Sequence, residues 1–243
     1  FRMQSIGVKG ILKCGNEPAS NVHVKLIDED RGPDSDDLLD ASYTDVNGKF
    51  QLSGHAYELT NIDVELHILH DCNNYGKACQ REWLIRIPEK YISQDRSPNK
   101  FMNLGTLNLE YIHAYQLFVI IFGIQSLSVK GKFFCGDEPA GNVRIKLVDQ
   151  DYGPDSDDDM AAGYTNEDGY FELSGSAEEL TTIDPHLRVY HDCNDGFTPC
   201  QRRWKFELPH HYIWSGKNSS KVMDIGEWNL EARMPDESHD CIH

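Results

Sequence analysis

The sequence is short of positive charge. Lys and Arg number 23 against 40 Asp and Glu, a formal net charge of −17. So negative a chain repels polyanions and lacks the attraction on which nonspecific nucleic-acid binding rests, which sets nucleic acid aside as a partner. Anionic lipid meets the same repulsion unless a cation bridges or a local basic patch faces it. Lys130, Lys132, Arg144 and Lys146, or Arg202, Arg203 and Lys205, are the candidates for such a patch. No Gly-x-Ser-x-Gly elbow, phosphate loop or His-Glu-x-x-His helix occurs, so the commonest hydrolase, nucleotide and metalloprotease arrangements are missing. No apolar run reaches the roughly 20 residues of a membrane-spanning helix. Helical signals are scarce too: Ser176-Ala177-Glu178-Glu179 fits a capping box, with its counterpart beginning at His55, and predicts only a short helical turn.

What the sequence does contain is itself, twice. Residues 5–110 recur at 126–231 without insertion or deletion, and Cys14, Cys72 and Cys79 align with Cys135, Cys193 and Cys200 at a constant offset of 121. Each copy is the size of an independent domain rather than one turn of a solenoid. The expected division is therefore a first domain at 1–110, a linker at 111–125 and a second domain at 126–243. The first residue is Phe1 and not Met, so trimming or a fragment is expected and any leader before it is unreadable.

Each copy reads as strands. Val8 to Cys14 and Asn21 to Asp28 flank Gly15-Asn16-Glu17-Pro18, a turn composition. Ala41 to Asp45 and Lys49 to Ser53 flank Asn47-Gly48, the strongest short hairpin signal, with Asp168-Gly169 in its place in the second copy. Ile62 to His70, Glu82 to Ile87 and Gly105 to Leu109 follow. About seven short strands with regular turns predict an all-β chain of two β-sandwich domains. Phe50, Leu52, Leu66 and Trp83, with Phe171, Leu173, Leu187 and Trp204, are the expected core.

Seven cysteines point to an oxidising compartment. The spacings Cys72-x6-Cys79 and Cys193-x6-Cys200 would let a disulfide close a short loop between neighbouring strands. A zinc reading through His70 and His191 lacks a fourth ligand and the short paired spacing of zinc modules. His70 beside Asp71 could suggest acid–base chemistry, but adjacent strand residues point to opposite faces.

An acidic stretch is repeated as well. Asp28, Asp30, Asp34 and Asp36 recur as Asp149, Asp151, Asp155 and Asp157. Carboxylates at this density suit weak calcium binding, although the spacing is not that of an EF-hand, and a solvated acidic loop is the alternative. No other cofactor is expected. Asn218-Ser219-Ser220 is a glycosylation sequon, with Ser97 standing in the place of Asn218 in the first copy.

Both copies carry Val-Lys-Gly-x3-Cys-Gly-x-Glu-Pro-Ala, Lys-Leu-x-Asp-x-Asp, Tyr-Thr-x3-Gly-x-Phe-x-Leu-Ser-Gly, His-Asp-Cys-Asn and Cys-Gln-Arg in fixed order. The set closely resembles the nematode-type transthyretin-like family over nearly all of both copies. That resemblance implies a secreted, extracellular, prealbumin-like β-sandwich without enzymatic activity, acting as a binding or bridging module for an extracellular protein or a lipid head group. At least one family member bridges exposed phosphatidylserine and a phagocyte receptor. The related hydroxyisourate hydrolases end in Tyr-Arg-Gly-Ser, whereas this chain ends His239-Asp240-Cys241-Ile242-His243. A hydrolase of that type and a structural matrix component are the alternative readings, and the oligomeric state stays open.

The resemblance also implies two disulfides per domain, and so a Cys135–Cys241 bond beside Cys72–Cys79 and Cys193–Cys200, with Cys14 left unpaired. The first copy departs from the family after Glu110, where an uncharged apolar segment, Tyr111 to Ile124, replaces the cysteine-bearing tail. Its length suits the core of a signal peptide, so a vestigial leader is expected at 111–125, with an ordinary linker as the alternative.

Overall fold

A computed structural model describes residues 2–29, 36–110, 123–150, 157–179 and 181–242. The apolar segment expected to be a linker or vestigial leader lies almost wholly outside the described residues. The chain divides into two compact units, one of residues 1–109 with 228–235 and the other of 110–227 with 236–243. The unit boundary therefore does not follow the repeat boundary: a short stretch late in the second copy belongs to the first unit.

In the first unit the strands are β1 (Arg2–Cys14), β2 (Glu17–Pro18), β3 (His23–Asp28), β4 (Asp37–Tyr43), β5 (Lys49–Glu58), β6 (Val64–His70), β7 (Arg81–Arg86) and β8 (Phe101–Asn108). One sheet is centred on β1, which runs antiparallel to β5 and parallel to β8. The other has the order β4-β3-β6-β7. Period-two alternation fixes which side chains face inward: along β5, Phe50 and Leu52 are buried while Lys49, Gln51 and Ser53 are exposed. Ile6, Val8 and Leu12 from β1 meet Leu66, Ile68, Trp83 and Ile85 in the core. The Asn47-Gly48 turn works as the sequence suggests. Gly48 has φ +75, and a Cβ there would collide with the Leu12 carbonyl oxygen.

The second unit repeats the plan with β9 (Gly123–Cys135), β10 (Glu138–Pro139), β11 (Arg144–Asp149), β12 (Asp158–Tyr164), β13 (Tyr170–Glu179), β14 (Pro185–His191), β15 (Gln201–Glu207), β16 (Trp214–Ser215), β17 (Val222–Asn229) and β18 (Ser238–Asp240). Here β13 and β16 pair with β9, and the facing sheet has the order β12-β11-β14-β15-β18. Phe133, Leu147, Val189, Trp204 and Phe206 fill its core.

The expected helical turns are not where the sequence placed them, and Leu173, expected in the core, is only half-buried. His55 and Ser176 to Glu179 do not start helical turns but lie inside β5 and β13, paired with β1 and β9. Those two partner strands begin earlier than the apolar pattern suggested, at Arg2 and Gly123, and offer a ladder to every backbone group a capping box would have served. The helical turns that do form are single 3-10 turns at Glu89–Tyr91 and His210–Tyr212, each following a proline.

Candidate functional surfaces

The disulfides correct the pairing expected from spacing. Cys14 bonds Cys72 and Cys135 bonds Cys193, with Cα separations of 5.7 and 5.9 Å. The third bond joins Cys200 to Cys241, and Cys79 is the unpaired, exposed cysteine in place of Cys14. The reason is geometric. Cys14 ends β1 in one sheet and Cys72 follows β6 in the other, so their bond staples the two sheets at one end of the sandwich. The short loop after Cys72 has no need of a disulfide, because the Asn74 side-chain amide holds it closed. That amide donates to Asp71 Oδ1 at 2.8 Å and to the carbonyls of Lys77 and Cys79 at 3.2 and 2.9 Å. Arg81 Nη1 adds a bond to the Cys72 carbonyl at 2.9 Å.

Cys200–Cys241 ties the chain end beside β15, where β18 pairs from Gln201↔Asp240 to Arg203↔Ser238. This removes one expected basic patch. Arg202 is fully buried and its Nη2 lies 2.6 Å from Glu237, which also accepts from Trp204 Nε1 at 3.0 Å. Arg203 pairs with Asp240 at 2.9 Å, and Lys205 is partly buried. In the other patch Lys146 pairs with Asp159 at 2.8 Å and Arg144 bonds the Tyr164 hydroxyl at 2.8 Å. Lys130 and Lys132 make no ion pair among the described residues.

The histidines beside the disulfides are packed, not poised. His70 is 1% exposed and meets the Trp83 ring edge-on at 5.6 Å. Burial, helped by Arg81, lowers its pKa from 6.5 to about 4. His191 repeats the arrangement against Trp204 at 5.2 Å, and burial, then Arg202, then His239 hold its pKa well below the usual value. Asp71 and Asp192 point elsewhere, accepting from Gln80 and Gln201. The zinc reading has no thiolate either, since Cys72 and Cys193 are both in disulfides.

Of the aspartates expected to bind calcium, Asp30, Asp34, Asp151 and Asp155 lie outside the described residues. Asp28 and Asp149 are buried, and their Oδ1 atoms accept the backbone N–H of Asp63 and Asp184, each at 2.7 Å. Asp157 pairs with Arg188, and Asp36 is exposed ahead of β4. Among the described residues no cluster of three carboxylates or histidines converges on one point. Asn218 is exposed in a bend between β16 and β17.

Sequence reasoning missed the loop tips. The loop after Cys72 carries Tyr75, 72% exposed, and its equivalent after Cys193 carries Phe197, 106% exposed. The two aromatics stand one position apart in the repeat, so aligning the copies hides them. The second loop is braced by Thr198 Oγ1 donating to the Asp195 carbonyl at 2.8 Å and by His239 against the Asp195 carboxylate at 3.0 Å.

A disulfide-stapled β-sandwich, present twice and with its loops locked by side-chain bonds, defines the class of protein. The Transthyretin-like family model, TTR-52, matches residues 9–88 and again 130–209. The chain belongs to the transthyretin-like family. It is similar to Transthyretin-like protein 5 of Caenorhabditis elegans, 46% identical over 126 residues that make up 52% of this chain and 91% of that protein. Transthyretin-like protein 33 of the same organism is 47% identical over 119 residues, 49% of this chain and 83% of the relative. Relatives of this kind correspond to about one of the two repeats. Among the described residues no helix is long and apolar enough to cross a membrane.

Proposed function

We propose that the chain is a secreted, non-enzymatic binding or bridging protein of the extracellular space, directed at a lipid head group or a cell-surface receptor. The observation that supports it is the pair of braced loops, one in each unit, each holding an aromatic side chain out in solvent. An aromatic kept exposed on a rigid loop gains its burial only when a partner covers it, and little ordering entropy opposes that contact. Two such tips on one chain suit bridging. The disulfides fit an oxidising environment, and the residues that might have suggested catalysis are occupied otherwise: His70 and His191 are buried against tryptophans, and Asp71 and Asp192 serve as loop anchors.

Co-sedimentation with phosphatidylserine liposomes, with calcium and with chelator, tests the lipid form. Binding is expected to fall sharply in Tyr75→Ser and Phe197→Ser. Loss in chelator would assign a bridging role to calcium held by the aspartate-rich loops; binding that survives chelator would assign the contact to the aromatic tips and open lysines. Absence of binding in both conditions leaves the receptor-directed form. Turnover of hydroxyisourate by the purified protein would overturn the non-enzymatic reading.

A further inference from the structure

We infer that the outer face of the β5-β1-β8 sheet in the first unit holds a binding site for a small organic anion, a carboxylate with an apolar body. A cleft of about 430 Å³ opens there, lined by Lys9, Ile11, Asp45, Lys49, Gln51 and Asn103 among others. The strand register brings these residues together: Lys9 stands opposite Gln51 on one side and Asn103 on the other, and Ile11 stands opposite Lys49. All five therefore share the face turned away from the core.

The charges in the cleft are unbalanced in one direction. Neither the Lys9 nor the Lys49 ammonium has an ion-pair partner among the described residues, in a chain with a net charge of −17. Asp45 makes no ion pair with either lysine among the described residues, its Oδ1 accepting the backbone N–H groups of Asn47 and Lys49, each at 2.8 Å, and its single charge leaves the cleft net positive. Asn103 Oδ1 accepts the Gly105 N–H at 3.1 Å, so the amide nitrogen is the end of that side chain left to donate. Gln51 supplies a second carboxamide. Two cations and two amide donors around Ile11 and the lysine stems offer charge-assisted bonds to an anionic head and apolar contact to a short body.

The second repeat acts as an internal control. At the same positions it carries Lys130, Lys132, Asn166, Tyr170, Glu172 and Asp224. The two carboxamides of the first repeat are thus replaced by their carboxylates, Lys49 by a tyrosine whose hydroxyl donates to Glu172 at 2.9 Å, Asp45 by an asparagine, and the apolar Ile11 by a lysine, so the face loses its apolar centre and its net positive charge. Burial first, then the hydrogen bond to Glu172 and the charges of Glu172 and Asp224, raise the pKa of that hydroxyl. Two lysines facing two carboxylates leave that face without the net positive charge of the first repeat's cleft, where two lysines face Asp45 alone. The site belongs to the first repeat alone, and it does not depend on the loops proposed above to contact lipid or receptor.

The test is a titration of the full-length, isotope-labelled chain with octanoate, octanamide and inorganic phosphate, read from backbone amide shifts in NMR spectra. Octanoate is expected to move the signals of residues 9–11, 49–51 and 103, and not those of 130–132 and 170–172. Octanamide, which keeps the body without the charge, and phosphate, which keeps charge without the body, are each expected to bind about tenfold more weakly or worse. The double variant Lys9→Gln/Lys49→Gln, at exposed positions, should lose roughly tenfold in octanoate affinity with unchanged thermal melting. Failure of octanoate to move the first set, equal response in the second repeat, or equal binding of octanamide or phosphate overturns the assignment. The wild-type arms decide the matter even if the double variant folds poorly.

Discussion

Tyr91 and Glu231 form a hydrogen-bonded pair inside the first unit although they come from different repeats. Their counterparts do the reverse: Tyr212 donates to Glu110 at 2.7 Å inside the second unit. Lys90 joins Glu231 in the first case, and His211 lies 3.5 Å from Glu110 in the second. Around Glu231, Trp228 packs on Trp83 with ring centroids 5.8 Å apart, and Arg233 and Arg86 exchange both backbone bonds. Each sandwich is thus completed by residues the other copy supplies.

The first prediction follows from that completion. Glu231→Ala removes the buried carboxylate to which the Tyr91 hydroxyl and the Lys90 ammonium donate, which costs about 1–3 kcal/mol. Hydrogen exchange should accelerate around residues 89–92 and 83–86, with little change across β11 and β14. Uniform acceleration of both units would contradict the unit composition.

Peptide mapping without reduction should recover Cys14–Cys72, Cys135–Cys193 and Cys200–Cys241, and iodoacetamide should label Cys79 alone in the native protein. Removing the Cys14–Cys72 bond, which closes a separation of 58 residues, should cost about 4 kcal/mol in the chain-entropy picture. Cys79→Ser, at an exposed position, should stay within about 0.5 kcal/mol.

Acid should weaken the fold well before its carboxylates are protonated. His70 and His186 have folded pKa values of about 4 against 6.5 unfolded, and His191 is lowered too. Between those values the unfolded chain binds more protons than the folded one, so stability is full above pH ~6.5 and declines as pH falls toward 4. His70 alone contributes a loss on the order of 3 kcal/mol across that window. Urea denaturation at pH 7, 5.5 and 4.5 measures the decline, and His70→Leu should flatten it; an unchanged slope in that variant would remove the histidine from the account.

Secretion through a glycosylating pathway should load Asn218, exposed and in a bend. A mobility shift on treatment with an amide-cleaving glycosidase, absent in Asn218→Gln, is the expected result.

The strands were legible because alternation and the Asn47-Gly48 turn are local signals, and a second copy confirmed each of them. The disulfides were not. Separation along the chain says that Cys72 and Cys79 are near each other, but which sulfur Cys72 reaches depends on where β1 ends in the opposite sheet. The acidic residues misled for a related reason: Asp28 and Asp149 look like ligands in sequence and act as acceptors for backbone N–H groups in the fold. Glu231 carried no local sign that it would bond Tyr91, since the repeat register pairs it with Tyr212 just as well.

Synthesis gives the placement of residues 228–235 a temporal meaning. A ribosome makes the chain from its N-terminus, and Arg86 waits 147 positions for Arg233. The nascent first sandwich, though all of its own strands have emerged, stays unfinished until residues 228–235 have been made, with its Trp83 side lacking Trp228 until then. Contacts so distant in sequence form slowly. A pause in translation before residue 228 would therefore leave the first repeat, although fully made, exposed to aggregation and to chaperones.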